Sequence, residues 1–169
     1  MMLEIIQAVT DDRVQQVREL SRIYVRWLED NEKALDLYDP QFFQDYGYKD
    51  GVAELPANYA PPDGCLLLAL YDSLPVGCVA LAKYGDGICE LRMLFVRPEC
   101  QGKGVGKALV NLLVDSAQKI GYDLMRLETS AYMTDACRLY HALGFHDIEP
   151  YYDVQHSMKA LAVFMEKSL

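Results

Sequence analysis

A chain of 169 residues, 51% hydrophobic and 24% charged, has the size and composition of one folded domain rather than a disordered segment. Sixteen basic against twenty-five acidic residues leave a net charge of −9, which argues against a nucleic-acid partner or an anionic membrane surface. The longest uncharged run, Ser73–Ala82, falls well short of the roughly 20 residues a membrane span requires.

Leu3–Val9 reads as a short strand, and Thr10 caps a following helix with Asp11 and Asp12 in its first turn. Val14, Val17, Leu20, Ser21, Tyr24 and Leu28 then recur at helical spacing. Residues 31–64 are aromatic, acidic and broken by proline and glycine, which predicts short helices and loops. Cys65–Tyr71 and Val76–Lys83 read as strands, and Tyr84–Gly87 as the tight turn into a third strand, Ile88–Val96. Gly104–Ile120 has the apolar stripe of a helix, stopped by Gly121. Leu124–Thr129 is a strand, Thr134–Leu143 a helix, and His146–Tyr151 and Ala162–Lys167 are two final strands.

Cys65, Cys78, Cys89, Cys100 and Cys137 form no CxxC pair, and the three histidines are not at ligand spacing. No metal site is expected. The thiols read as reduced, and the location as cytoplasmic. The negative charge is unevenly spread: residues 29–63 carry a net −7, whereas residues 88–107 carry +2. An acidic segment beside a basic loop suggests two ligand surfaces of opposite preference.

The basic loop runs Arg97-Pro98-Glu99-Cys100-Gln101-Gly102-Lys103-Gly104-Val105-Gly106-Lys107 and joins a strand to a helix. Its glycines let backbone approach a ligand, and the free N–H groups of a helix start favour a phosphate. A Walker loop would need Gly at 101 and Ser or Thr at 108, where the chain has Gln101 and Ala108. A dinucleotide fingerprint fails at Lys107 or at Leu109, depending on which glycine begins it.

Gln101-Gly102-Lys103-Gly104-Val105-Gly106 resembles the Q/R-x-x-G-x-G/A motif of the GNAT family of acyl-CoA-dependent N-acetyltransferases. Glu90–Pro98 is similar to that family's central strand and its exit, and Ala136–Phe145 to its A-x-x-L-Y-x-x-x-G-F helix. The resemblance is close over residues 65–169 and loose before them. Where family members often carry Asn ahead of the last motif, this chain has Met133.

This resemblance implies an α/β fold, with a mixed, mostly antiparallel twisted sheet of about 6–7 strands flanked by about four helices. It implies one domain over residues 1–169, with 88–145 as the CoA-binding core and 31–63 as a variable acceptor-side segment. Acetyl-CoA is the expected co-substrate. The backbone of Gln101, Gly102, Lys103, Gly104, Val105, Gly106 and Lys107 would cradle its pyrophosphate, with Lys103 or Lys107 adding charge. The backbone of Leu94, Phe95 and Val96, on a strand that splays from its neighbour in the family, would bond the pantetheine arm. The side chains of those three residues read as core.

Amine acetylation needs a base for the ammonium and an acid for the leaving thiolate. Glu90 is the candidate base, acting directly or through water: it is a charge on an apolar strand, where the family often places its base. Strand alternation sets Glu90 on one face with Arg92, Leu94 and Val96. Its plain alternatives are an ion pair with Arg92 or a place on a solvated strand end. Tyr140 is the candidate acid, at the tyrosine that approaches the CoA sulfur in many family members. It also lies on an apolar stripe where packing alone would explain it.

Tyrosines 38, 46, 48, 59, 151 and 152, together with the acids of 31–63, would suit a cationic amine on a small molecule or a peptide. A homodimer is compatible with the resemblance. The alternative reading is an acyl-CoA-binding sensor module without turnover.

Overall fold

A computed structural model describes residues 2–45, 52, 55–154 and 157–169, the side chains of 42, 44, 45, 157 and 158 aside. Strand β1 (Leu3–Gln7) leads into helix α1 (Asp11–Ala34), entered through an extended Thr10 and with Asp11 and Asp12 in its first turn. Val14, Val17, Leu20, Ser21, Val25 and Leu28 form its buried stripe. The helix continues through residues 31–34, the start of the stretch in which the sequence pattern predicts short helices and loops. Asn31-Glu32-Lys33-Ala34 contains no glycine or proline, and Glu32 is itself buried.

A six-residue helix, α2 (Pro40–Asp45), and a single turn at Ala57–Tyr59 follow. Tyr46, Tyr48, Asp50 and Glu54 of the predicted acceptor-side segment lie outside the described residues. On α1, Arg18 donates to the carbonyls of Val52 at 3.1 Å and Leu55 at 2.7 Å, tying this segment down.

Strands β2 (Cys65–Tyr71), β3 (Leu74–Gly85) and β4 (Ile88–Val96) form an antiparallel meander. Six consecutive residues of β2 are buried because both sheet faces are covered, which is why the strand reads as an unbroken apolar run. Helix α3 (Val105–Ile120), strand β5 (Leu124–Ser130), helix α4 (Thr134–Ala142), strand β6 (His146–Ile148) and strand β7 (Ala162–Ser168) complete the fold. The seven strands run in the order β1-β2-β3-β4-β5-β7-β6, and only the β4–β5 pair is parallel. This is the predicted mixed, mostly antiparallel α/β sheet. β6 stops three residues short of the predicted Tyr151 because Pro150 has no N–H to donate to a ladder.

One core fills the space between the sheet and α3 and α4, and includes Leu67, Leu81, Leu91, Leu109, Leu113, Met125 and Leu127. A second lies against α1, with Leu20, Leu66, Leu68, Ala80 and Phe95.

An irregularity in β4 decides what faces each core. Phe95 pairs with Cys78 and Arg92 with Ala80, so Met93 and Leu94 stand opposite Val79 alone. Met93 takes φ +56°, the left-handed region that non-glycine residues seldom adopt. The bulge inverts the alternation beyond it. Glu90 and Arg92, opposite Ala82 and Ala80, share the α1 face with Met93 and Phe95. Leu94 and Val96 pack instead against the core of α3 and α4. Simple alternation, which grouped Glu90, Arg92, Leu94 and Val96, is therefore corrected at residue 93.

Candidate active site

Parallel pairing of β4 and β5 lasts for three residue pairs, ending at Glu90↔Arg126. Beyond that point β4 remains zipped to β3 and β5 to β7, so the two strands part. The edge of Leu91–Val96 that turns toward β5 has no strand beside it, and it carries backbone donors and acceptors that an extended ligand can use.

The glycine loop closes the end of this cleft. Gln101 donates from Nε2 to the carbonyl of Val96 at 3.0 Å, fixing the loop to the end of β4. Gly102 and Gly104 adopt φ of +73° and +80°, which turn the chain into α3 at little steric cost. Gly104 is the N-cap of α3 and has no side chain to cap the first N–H groups of the helix, which stay available to an anion. At Gly106 a Cβ would lie 3.3 Å from Leu139 Cδ2, so this glycine lets α4 close against the loop. Lys103 bends back to the carbonyl of Glu99 at 2.9 Å, and Lys107 is exposed. An uncapped helix start beside an unpaired strand edge fits a ligand with a phosphate end and an amide-bearing arm, as CoA has.

Tyr140, on α4, lies in the same apolar cluster as Leu94, Val96 and Val105 and meets the Phe145 ring edge-on at 5.7 Å. Burial pushes its hydroxyl well above the ordinary tyrosine range, so it remains protonated. The side chain of Phe95 points to the other face, 5.5 Å from the Tyr24 ring, which leaves only its backbone toward the cleft.

On the α1 face the cleft is polar. Glu90 is 4% exposed and bonded at both oxygens: Arg92 donates to Oε2 from Nε at 2.9 Å and brings Nη2 within 2.8 Å of the same oxygen, and Tyr151 donates to Oε1 at 2.9 Å. Tyr151 and Tyr152 come from the loop ahead of β7. Their rings pack edge-on against each other and against Phe164, at 5.1 Å in each case. Tyr84 donates to the Tyr151 carbonyl at 3.1 Å, and Tyr152 donates to Glu128. Burial, and then the charge of Glu90, raises the phenol of Tyr151 far above its ordinary range.

Glu128 was not singled out by sequence. It lies two residues beyond Arg126 on the diverging strand, and burial followed by the charge of Glu90 raises its carboxyl to about 7, with Arg92 opposing. The signal that pointed to Glu90 was present here too: in Leu124–Ser130 the alternate positions Met125 and Leu127 are apolar, while Arg126 and Glu128 are charged. Arg126 is held by Glu166 at 2.7 Å and lies 5.1 Å from the Tyr151 ring and 5.9 Å from that of Tyr84. Farther along the cleft, Tyr132 donates to Glu32 of α1 at 3.1 Å, and burial raises that carboxyl.

All five cysteines are free thiols. Among the described residues no group of three or more His, Cys, Asp or Glu could hold a metal, and no helix is long and apolar enough to cross a membrane.

Known proteins resemble this chain in sequence and in fold. A sequence model of the Acetyltransferase (GNAT) family matches residues 31–145. An uncharacterised N-acetyltransferase of Schizosaccharomyces pombe is 35% identical over 130 residues, which cover 74% of this chain and 80% of that protein. An IAA acetyltransferase of Azospirillum brasilense is 33% identical over 111 residues, 65% of this chain and 71% of that protein. The crystal structure of PaiA N-acetyltransferase from Thermoplasma acidophilum, in complex with coenzyme A, has the same fold. It superposes with a TM-score of 0.73 at 21% identity and covers the whole of both chains. The glycine loop, the parted strands and the sequence matches together show that the chain belongs to the acetyltransferase (GNAT) family and is an acetyl-CoA-dependent N-acetyltransferase.

Proposed function

We propose that this chain acts as one catalytic unit over residues 1–169, moving an acetyl group from acetyl-CoA to a primary amine by direct attack. The observation that carries this reading is the parting of β4 and β5 beside an uncapped helix start. The backbone of Gln101 to Lys107 holds the pyrophosphate, and the edge of Leu94, Phe95 and Val96 holds the pantetheine arm. A backbone N–H near Phe95 or Val96 takes the developing negative charge on the acetyl oxygen.

The amine arrives from the α1 face, between the segment 31–63 and the tyrosine loop ahead of β7. A carboxylate takes a proton from the ammonium, the neutral nitrogen attacks the carbonyl carbon, and the carbon–sulfur bond breaks. Glu90 is that carboxylate, directly or through water. Tyr140, kept protonated by burial, returns a proton to the thiolate. The acceptor is a cationic amine of a small molecule or a peptide, attracted by the acids and rings on that side.

One observation favours a second reading of the proton acceptor. Both oxygens of Glu90 are already bonded, whereas Glu128 carries a carboxyl near 7 on the opposite side of the opening. On that reading Glu128 takes the proton and Glu90 holds Arg92 and Tyr151 in place.

The test is thiol release from acetyl-CoA across a panel of amines. Release with at least one amine supports acetyl transfer. Stabilisation by CoA without any release would support the sensor reading instead.

A further inference from the structure

The acceptor side of the cleft carries charge of both signs, one on each side of its opening. Continuing the β4–β5 register by two residues would set Arg92 opposite Glu128, but the strands part before that pair forms. Arg92 gives its ion pair to Glu90 on its own strand, using Nε and one hydrogen of Nη2. A guanidinium has five N–H groups, so donors remain beyond those given to Glu90, and Tyr59 accepts from part of that outer edge. The side chain of Arg92 is 48% exposed against 6% for Glu90, so the pair presents its cation outward and keeps its anion inside. Tyr59, from the turn ahead of β2, lies against Arg92 on the acceptor side.

The other arginine of this face is less exposed. Arg126 is 22% exposed, paired with Glu166 and close to two tyrosine rings. Glu128 faces the opening from β5, with Tyr152 donating to one of its oxygens.

We propose that the acceptor is a zwitterion, an α- or β-amino acid whose carboxylate is taken by the exposed N–H groups of Arg92 beside Tyr59 while its amine lies against Glu128. This rests on the acetyltransferase reading and narrows its substrate class. A guanidinium fork matches a carboxylate in shape and charge. A diamine, or a lysine side chain within a protein, would bring either a second ammonium or no anion to Arg92. An amino acid places opposite charges within a few bonds of each other, as the opening does.

The experiment measures acetyl-CoA thiol release by the full chain with matched acceptors: several L-amino acids and β-alanine, each beside its decarboxylated amine and its amide. Wild type is expected to favour the free carboxylate in kcat/KM. Arg92→Gln is expected to lower that preference about 10- to 100-fold, chiefly through KM. Any damage done by leaving Glu90 without its partner strikes all acceptors alike and cancels in the ratio. Arg92→Lys keeps the charge without the fork and should retain an intermediate preference. It decides the matter, together with the wild-type ratio, if Arg92→Gln does not fold. A wild-type preference for amines or amides overturns the inference, as does a preference unchanged in both variants. No release with any acceptor would overturn the acetyltransferase reading itself and the inference with it.

Discussion

The hydroxyl of Tyr151 donates a 2.9 Å hydrogen bond to Oε1 of Glu90, joining the loop ahead of β7 to the middle of β4. Tyr151→Phe removes that donor and leaves a buried carboxylate oxygen unpaired. The expected loss is about 1–3 kcal/mol of folding stability. Thermal unfolding should show it as a drop of several degrees.

Glu128 supplies a second, independent pH signal. Its carboxyl is raised from the ordinary 4.5 to about 7, so the ionised form gains ground only as pH rises through about 7. If it accepts the amine proton, kcat/KM should climb to a plateau above that value, and Glu128→Gln should remove the limb. The sign for stability is opposite to that of a salt-bridged acid. The environment of Glu128 is fully tolerated below about 4.5 and becomes progressively destabilising up to about 7. The melting temperature of Glu128→Gln relative to wild type should therefore rise across that window.

Tyr140→Phe tests the acid. The ring remains in its apolar cluster against Phe145, so folding should change little. Turnover should fall by about 10²-fold or more if the hydroxyl protonates the thiolate. CoA at about 100 times its Kd should still stabilise the variant by about 2.7 kcal/mol. Unchanged turnover would restrict Tyr140 to packing.

Gly104→Ala tests the loop. A Cβ there meets nothing within 4 Å, so any effect comes from the backbone. At φ +80° an alanine costs about 1–2 kcal/mol, or the turn shifts and misdirects the first N–H groups of α3. CoA affinity, measured by calorimetry, should fall, while the amine preference of whatever activity remains should not change.

Much of this could be read from residues close together in the chain. The stripe of α3, the apolar run of β2 and the glycines around Lys103 each carry a local period or a local need for positive φ. The bulge at Met93 left no such trace, because Arg92-Met93-Leu94 contains neither glycine nor proline. It arises from pairing with β3, a partner that a window along β4 does not contain. The same holds for the placement of β7 between β5 and β6, and for the tyrosines that reach Glu90 and Glu128 from more than twenty residues away. Glu128 was missed for a different reason. Its alternation was visible, but its neighbour across the opening was not.

Three residue pairs join β4 to β5, whereas β3 and β4 share seven, and β5 and β7 share seven. Mechanically the sheet is two plates riveted along a short seam, with Glu90 and Arg92 on one plate and Glu128 on the other. The Tyr151 hydrogen bonds to Glu90 and from Tyr84 cross that seam as straps. A small rotation about it changes the gap between Arg92 and Glu128 without breaking a hydrogen bond inside either plate. The distance between these two opposite charges is thus set by the angle between the plates rather than by pairing inside either one.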